Sequence, residues 1–199
     1  MPSRPVLDVS EEEMARARLY NFIAALLSRP PTQLEIDVAS ALSGDSSLLG
    51  QALTRVATAA RATSVDDAAD AFQALFIGLG RGELLPYGSY YLTGFLQEKP
   101  LARLRSDLGR LGVVRDADVS EPEDHVASIL EVMAGMIEGH FGPQLTLEAQ
   151  KMFFNAHVAS WMPHFFKDLE ENRTSPFYAA LGCVGARFLE VEEEAFRMI

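Results

Sequence analysis

Two short segments carry the side chains whose types and spacing suggest chemistry. Pro86-Tyr-Gly-Ser-Tyr-Tyr91 puts three tyrosines and a serine in a Pro/Gly turn, with Leu84, Leu85, Leu92 and Phe95 around it. A loop this aromatic either plugs a core or lines a groove for an apolar guest. Glu121-Pro-Glu-Asp-His125 puts three carboxylates in what reads as the first turn of a helix, where the macrodipole favours them. The same field disfavours an imidazolium, so His125, directly beside Asp124, is the residue that simple capping leaves unexplained.

The other reactive residue types fall into patterns that do not support catalysis. The histidines are His125, His140, His157 and His164. His157 and His164 read as one helix face two turns apart, roughly 10 Å at the helical rise, too far to ligate one metal. Cys183 sits between Leu181 and Val184 in a helical pattern, as a small buried hydrophobe would. Gly78-x-Gly80-x-Gly82 follows a helix rather than a strand, and no Gly-Lys-Ser/Thr occurs, so it reads as a helix stop and loop. There is no G-x-S-x-G elbow. Asp124 and His125 would point about 100° apart on a helix, which leaves the histidine unoriented by its neighbour. The chain is expected to have no catalytic residues and no metal, and not to be an enzyme.

The elements that position these segments read as helices throughout. Ser10-Glu-Glu-Glu13 and Thr32-Gln-Leu-Glu35 are capping boxes. Behind the first, Leu19, Phe22, Ile23, Leu26 and Leu27 recur at three- and four-residue spacing until Arg29-Pro30-Pro31; behind the second, Leu34, Val38 and Leu42 share a face. Leu49, Leu53, Val56, Ala57 and Ala60 form a third stripe. Ser64 caps a fourth, in which Val65, Ala68, Phe72, Leu75, Phe76 and Leu79 keep helical phase. Pro100 opens a helix that ends at Gly112, with Leu101, Leu104, Leu108 and Leu111 inward. Ser120-Glu-Pro-Glu123 reads as a third capping box, leading Val126, Ile129, Leu130, Met133 and Ile137. Leu147, Phe154, His157, Val158 and Trp161 mark the next helix, which Pro163 kinks or ends. Ser175-Pro176 opens the last one, with Phe177, Leu181, Val184, Phe188 and Val191 inward. No stretch alternates with period two. The fold class is all-α, a helical bundle of about eight to ten helices.

Composition narrows the partners. With Lys+Arg 17 against Asp+Glu 28, the net charge of −11 disfavours nucleic acid and acidic membrane surfaces and favours basic partners. A single cysteine cannot form an intrachain disulfide. The first ten residues have one Arg and no apolar run, and no uncharged stretch is long enough to span a bilayer, so a soluble, cytoplasmic protein is expected. The polar segment Val113–Val119 reads as a hinge. It divides an N-terminal helical part, 1–112, with the aromatic loop at 84–96, from a C-terminal part, 120–199, within one compact unit.

Taken together, Pro86, Tyr87, Ser89 and Tyr91, followed about thirty residues later by Glu121, Pro122, Asp124 and His125, resemble the TorD/DmsD/NarJ family of redox-enzyme maturation chaperones. Leu19-Tyr20, Phe72 to Phe76, Glu98-Lys-Pro100, and Phe154, His157, Trp161 and Phe165 fit the same pattern, so the resemblance spans nearly the whole chain. It departs at Tyr87, where some relatives carry tryptophan, and at Gly88, where many carry a larger residue. The resemblance implies an all-helical fold with a hinge between the motifs. It implies binding of the twin-arginine signal peptide, or the apo form, of a molybdopterin oxidoreductase in the cytoplasm, a formate dehydrogenase or a DMSO/TMAO-reductase-type enzyme among the candidates. It places Pro86, Tyr87, Ser89, Tyr91, Glu121, Pro122, Asp124 and His125 at the client-binding groove. No cofactor is expected beyond the weak guanine-nucleotide binding suggested for some members, and the chain is a monomer or a hinge-exchanged homodimer. On this reading Tyr87, Tyr91 and Leu84 take the apolar part of the signal, and Glu121, Glu123 and Asp124 face its arginines. The alternative is a structural helical adaptor subunit that binds no signal peptide.

Overall fold

The computed structural model describes residues 10–114, 121–141 and 145–199. Among the described residues ten α-helices follow one another: α1 (Glu11–Ser28), α2 (Gln33–Ser40), α3 (Leu48–Arg61), α4 (Val65–Phe72), α5 (Gly88–Thr93), α6 (Lys99–Leu111), α7 (Val126–Glu138), α8 (Leu147–His157), α9 (Met162–Glu171) and α10 (Pro176–Arg197). Among the described residues there is no strand, only one isolated antiparallel bridge, between Tyr87 and His125. The all-α expectation holds. The proposed hinge lies outside the described residues except for Val113 and Val114.

Local signals set most helix ends. Ser10–Glu13 and Thr32–Glu35 form the two reciprocal capping boxes. Pro100 lies in the first turn of α6, and Gly112 ends it with a left-handed φ of 73°. Pro176 likewise opens α10 behind the Ser175 cap.

The core is built on two axes. Helix α7 is apolar on nearly every side, with Val126, Ile129, Leu130, Met133 and Ile137 all buried, and it packs along α1. Helix α10 packs against α9 and α3. A Cβ on Gly182 would lie 2.4 Å from the Glu170 backbone nitrogen, so this glycine sets how closely α9 and α10 approach. A polar clamp ties the first helix to the last. Glu192, only 1% exposed, takes the Arg16 guanidinium at 2.7 and 2.8 Å and the Tyr20 hydroxyl at 2.8 Å. Both Glu192 oxygens and the Tyr20 hydroxyl have partners, the condition for a buried charge to be tolerated.

Several sequence expectations give way. In α2 the buried residues are Ile36 and Ala39, while Leu34 and Val38 face solvent, because a two-turn helix with apolar residues on both sides has no phase of its own. After Phe72 the chain continues as one π-helical turn, Gln73–Ile77, closed by Gly78 N–H donating to the Gln73 carbonyl at 2.7 Å. The wider turn rotates the stripe, and Leu79 is fully exposed. Val191 also points outward, and Glu192 takes the inward position beside it. Helix α8 stops at His157, and α9 starts with Trp161 as N-cap and Pro163 in its first turn. His157 and His164 therefore stand on two helices, not on one face. Helix α7 begins only at Val126, so Glu121–Asp124 precede the helix rather than form its first turn, and Ser120 lies outside the described residues.

Candidate functional site

The aromatic loop and the acidic segment, thirty-odd residues apart in sequence, are joined by backbone hydrogen bonds. Gly88 N–H donates to the Asp124 carbonyl at 2.9 Å, and Val126 N–H donates to the Pro86 carbonyl at 2.8 Å. This short pairing pulls residues 121–125 out of helical geometry and leaves His125 as the N-cap of α7. Its Nδ1 accepts the Ala127 N–H at 3.2 Å, so the neutral ring carries its proton on Nε2. Burial pushes the His125 pKa down from 6.5 to about 4, against the smaller opposing pull of Glu121 and Asp124. A neutral imidazole at a helix N-terminus removes the conflict with the macrodipole.

The side chains complete the junction. The Tyr87 hydroxyl donates to Glu121 Oε2, and its ring meets the His125 ring edge-on at 5.2 Å. Asp124 is 2% exposed. Its Oδ2 accepts the Ser89 N–H at 2.7 Å at the start of α5, while its buried Oδ1 has no partner among the described residues. Ser89 is fully buried, and its hydroxyl accepts the Gln97 N–H at 3.1 Å, where Gln97 takes a left-handed φ of 59°. Tyr91 packs against both the Trp161 and Phe165 rings and donates to Asp168 Oδ2 at 2.9 Å. Burial first, then the carboxylate each one meets, raises the pKa of Tyr87 and Tyr91, so both remain hydrogen-bond donors. Tyr90 accepts from Arg81 at 2.6 Å. The tyrosine rings of the loop are thus half-buried, and their hydroxyls are fastened to polar partners. Pro86 is buried at the junction, and Pro122 precedes it, its carbonyl accepting the His125 N–H at 3.1 Å.

A cavity of about 240 Å³ opens beside this junction, between α5, α6 and the start of α9. Its walls include Leu92, Leu104, Ile129 and Trp161, with Asp124 at its base and Lys99 and Arg103 on its rim. Gly88 has a specific role here: a Cβ would come within 3.1 Å of the Trp161 indole nitrogen, so the missing side chain lets the ring close over the loop. His157 borders the cavity, paired through Nε2 with Asp107 at 2.9 Å, and burial lowers its pKa against the pull of that carboxylate. Leu84 packs against the core and is not among the residues lining the cavity. Glu123 is engaged by the Arg105 guanidinium at 2.8 and 3.0 Å.

The structure therefore brings Pro86, Tyr87, Ser89, Glu121, Asp124 and His125 into one cluster and places Tyr91 one helical turn away, against α9. Sequence reasoning missed Asp168 and Arg81, which anchor two of the three tyrosines; no local pattern marks a residue whose partner is seventy-seven positions distant. Among the described residues no group of three or more His, Cys, Asp or Glu side chains is arranged to hold a metal. No helix among the described residues is long and apolar enough to cross a membrane.

Comparison with known proteins finds relatives of this chain. The family model for the nitrate reductase delta subunit matches residues 42–167. A chaperone protein TorD of Vibrio cholerae is 29% identical over 196 residues, covering 94% of this chain and 84% of its own length. A chaperone protein TorD of Aliivibrio salmonicida is 32% identical over 127 residues, covering 59% of this chain and 58% of its own. A solved structure of a proposed redox enzyme maturation protein from Archaeoglobus fulgidus shares the fold, with a TM-score of 0.59 at 21% identity over 95% of this chain and 99% of that one.

Proposed function

The chain belongs to the nitrate reductase delta subunit family, the TorD/NarJ family, and from that premise we propose that it is a cytoplasmic chaperone of molybdoenzyme maturation. Its client is the apo catalytic subunit of a molybdopterin oxidoreductase, engaged through a segment with a basic head and an apolar stretch, as in a twin-arginine signal. The client is held while its cofactor is inserted and is then released for export or assembly.

The observation that carries this reading is the junction itself. Two motifs distant in sequence are locked together beside a cavity whose lining includes Leu92, Leu104, Ile129 and Trp161 together with Asp124. Leu92, which lines the cavity, and Phe95 and Leu96, which follow it in the chain, are 45%, 70% and 47% exposed. Apolar side chains clustered on the surface beside a cavity suit an apolar partner segment. The net charge of −11 favours a partner with a basic head.

Calorimetric titration of the full chain with a synthetic peptide, a pair of arginines followed by an apolar stretch, tests the proposal. Phe95→Ser and Leu92→Ser remove exposed side chains. Each should weaken the peptide by about 2 kcal/mol, roughly thirtyfold, the scale of an interface anchor, with little change in melting temperature. No saturable binding by the unsubstituted chain, or undiminished affinity in both variants, would overturn it.

A further inference from the structure

The Asp124 cavity has a neighbour of different electrical character. A second cavity, of about 510 Å³, lies between α6 and α7 on the other side of the Glu121–His125 turn. Its walls are apolar, with Leu108, Val132 and Phe141, and its rim carries Glu121, Glu123 and Glu131. Of its cationic groups, Arg105 is already held by Glu123. Glu131 has no partner among the described residues, and partial burial raises its pKa. The first cavity presents the opposite rim, with Lys99 and Arg103 at its mouth.

Resting on the chaperone reading, we propose that the two cavities divide the client segment by charge. The basic head seats in the α6–α7 cavity with a cationic group on Glu131. The apolar stretch that follows crosses the Glu121–His125 turn and enters the Asp124 cavity. A long cationic side chain suits the second cavity, because its aliphatic stem can lie along Leu108, Val132 and Phe141 while its charged end meets a carboxylate. The same head at the first cavity would meet Lys99 and Arg103, a like-charge encounter that disfavours it. The separation is small. Glu123 lines one cavity and Asp124 the other, so the wall between them is a single turn of chain. About three to five extended residues, at roughly 3.3 Å each, bridge such a wall.

The experiment compares two peptides on the full chain by calorimetry, one with the arginine pair and one with glutamines in its place, otherwise identical. Glu131→Gln is nearly isosteric and lies at the surface. It should weaken the arginine peptide about tenfold and change the glutamine peptide less than about twofold. Glu131→Lys should weaken the arginine peptide further. Lys99→Gln should leave the arginine peptide within about twofold. Equal losses for both peptides in Glu131→Gln, or a tenfold gain for the arginine peptide in Lys99→Gln, would overturn the division while leaving the chaperone reading intact. Failure of both peptides to bind the unsubstituted chain would overturn the chaperone reading and this division with it.

Discussion

His125 should make the fold sensitive to acid in a window set by its burial. The ring is neutral, accepts the Ala127 N–H and faces Tyr87, and its pKa falls from 6.5 to about 4 on folding. The unfolded chain takes up a proton as pH falls through about 6.5 while the folded chain resists until about 4, so stability is lost across that interval and no further below it. Between pH 7.5 and pH 5 the loss from this one residue amounts to about 2 kcal/mol, and over the whole interval to about 3 kcal/mol. The perturbation is His125→Asn, which keeps a cap acceptor for α7 but cannot titrate. Losing the ring lowers stability by the same amount at every pH, so the slope and not the height carries the result. Urea unfolding at several pH values, for the unsubstituted chain and the variant, gives both curves, and the carboxylates and His157 cancel in their difference. The two curves should converge by about 2 kcal/mol between pH 7.5 and pH 5. Parallel curves would refute the burial argument and mean that His125 is solvated or already charged in the folded state.

Removing Glu192 by Glu192→Ala leaves the Arg16 guanidinium and the buried Tyr20 hydroxyl without their shared acceptor, and should cost about 3 kcal/mol or more by urea unfolding. Glycine substitutions in two helices should act in opposite directions in thermal melts. Gly182→Ala drives a Cβ against the Glu170 backbone and should destabilise by about 1–2 kcal/mol, whereas Gly109→Ala meets nothing within 4 Å and should stabilise by up to about 1 kcal/mol.

What the sequence by itself determined were features whose causes are local. The capping boxes at Ser10 and Thr32, the proline starts at Pro100 and Pro176 and the glycine stop at Gly112 all stand where they read, because each is settled within one helical turn. The stripes of α1, α6 and α7 held their faces because they run over three or more turns. Both unusual segments were legible as residues that simple helix chemistry did not explain. Tertiary structure decided the rest. Ser120 heads a capping box as good on paper as the other two, yet α7 starts at Val126. Pairing of Gly88 with Asp124 and Val126 with Pro86 satisfies those backbone groups across the molecule, and only the folded chain brings them within reach. The same long-range pairing turned His125 from a misplaced cation into a neutral cap, and Asp124 from a surface acid into a buried group that holds the start of α5 through one carboxylate oxygen. The π turn at Gln73–Ile77 and the inward choice of Ile36 and Ala39 were also beyond periodicity. A two-turn helix carries too few residues to choose a face, and packing against the rest of the core makes the choice for it.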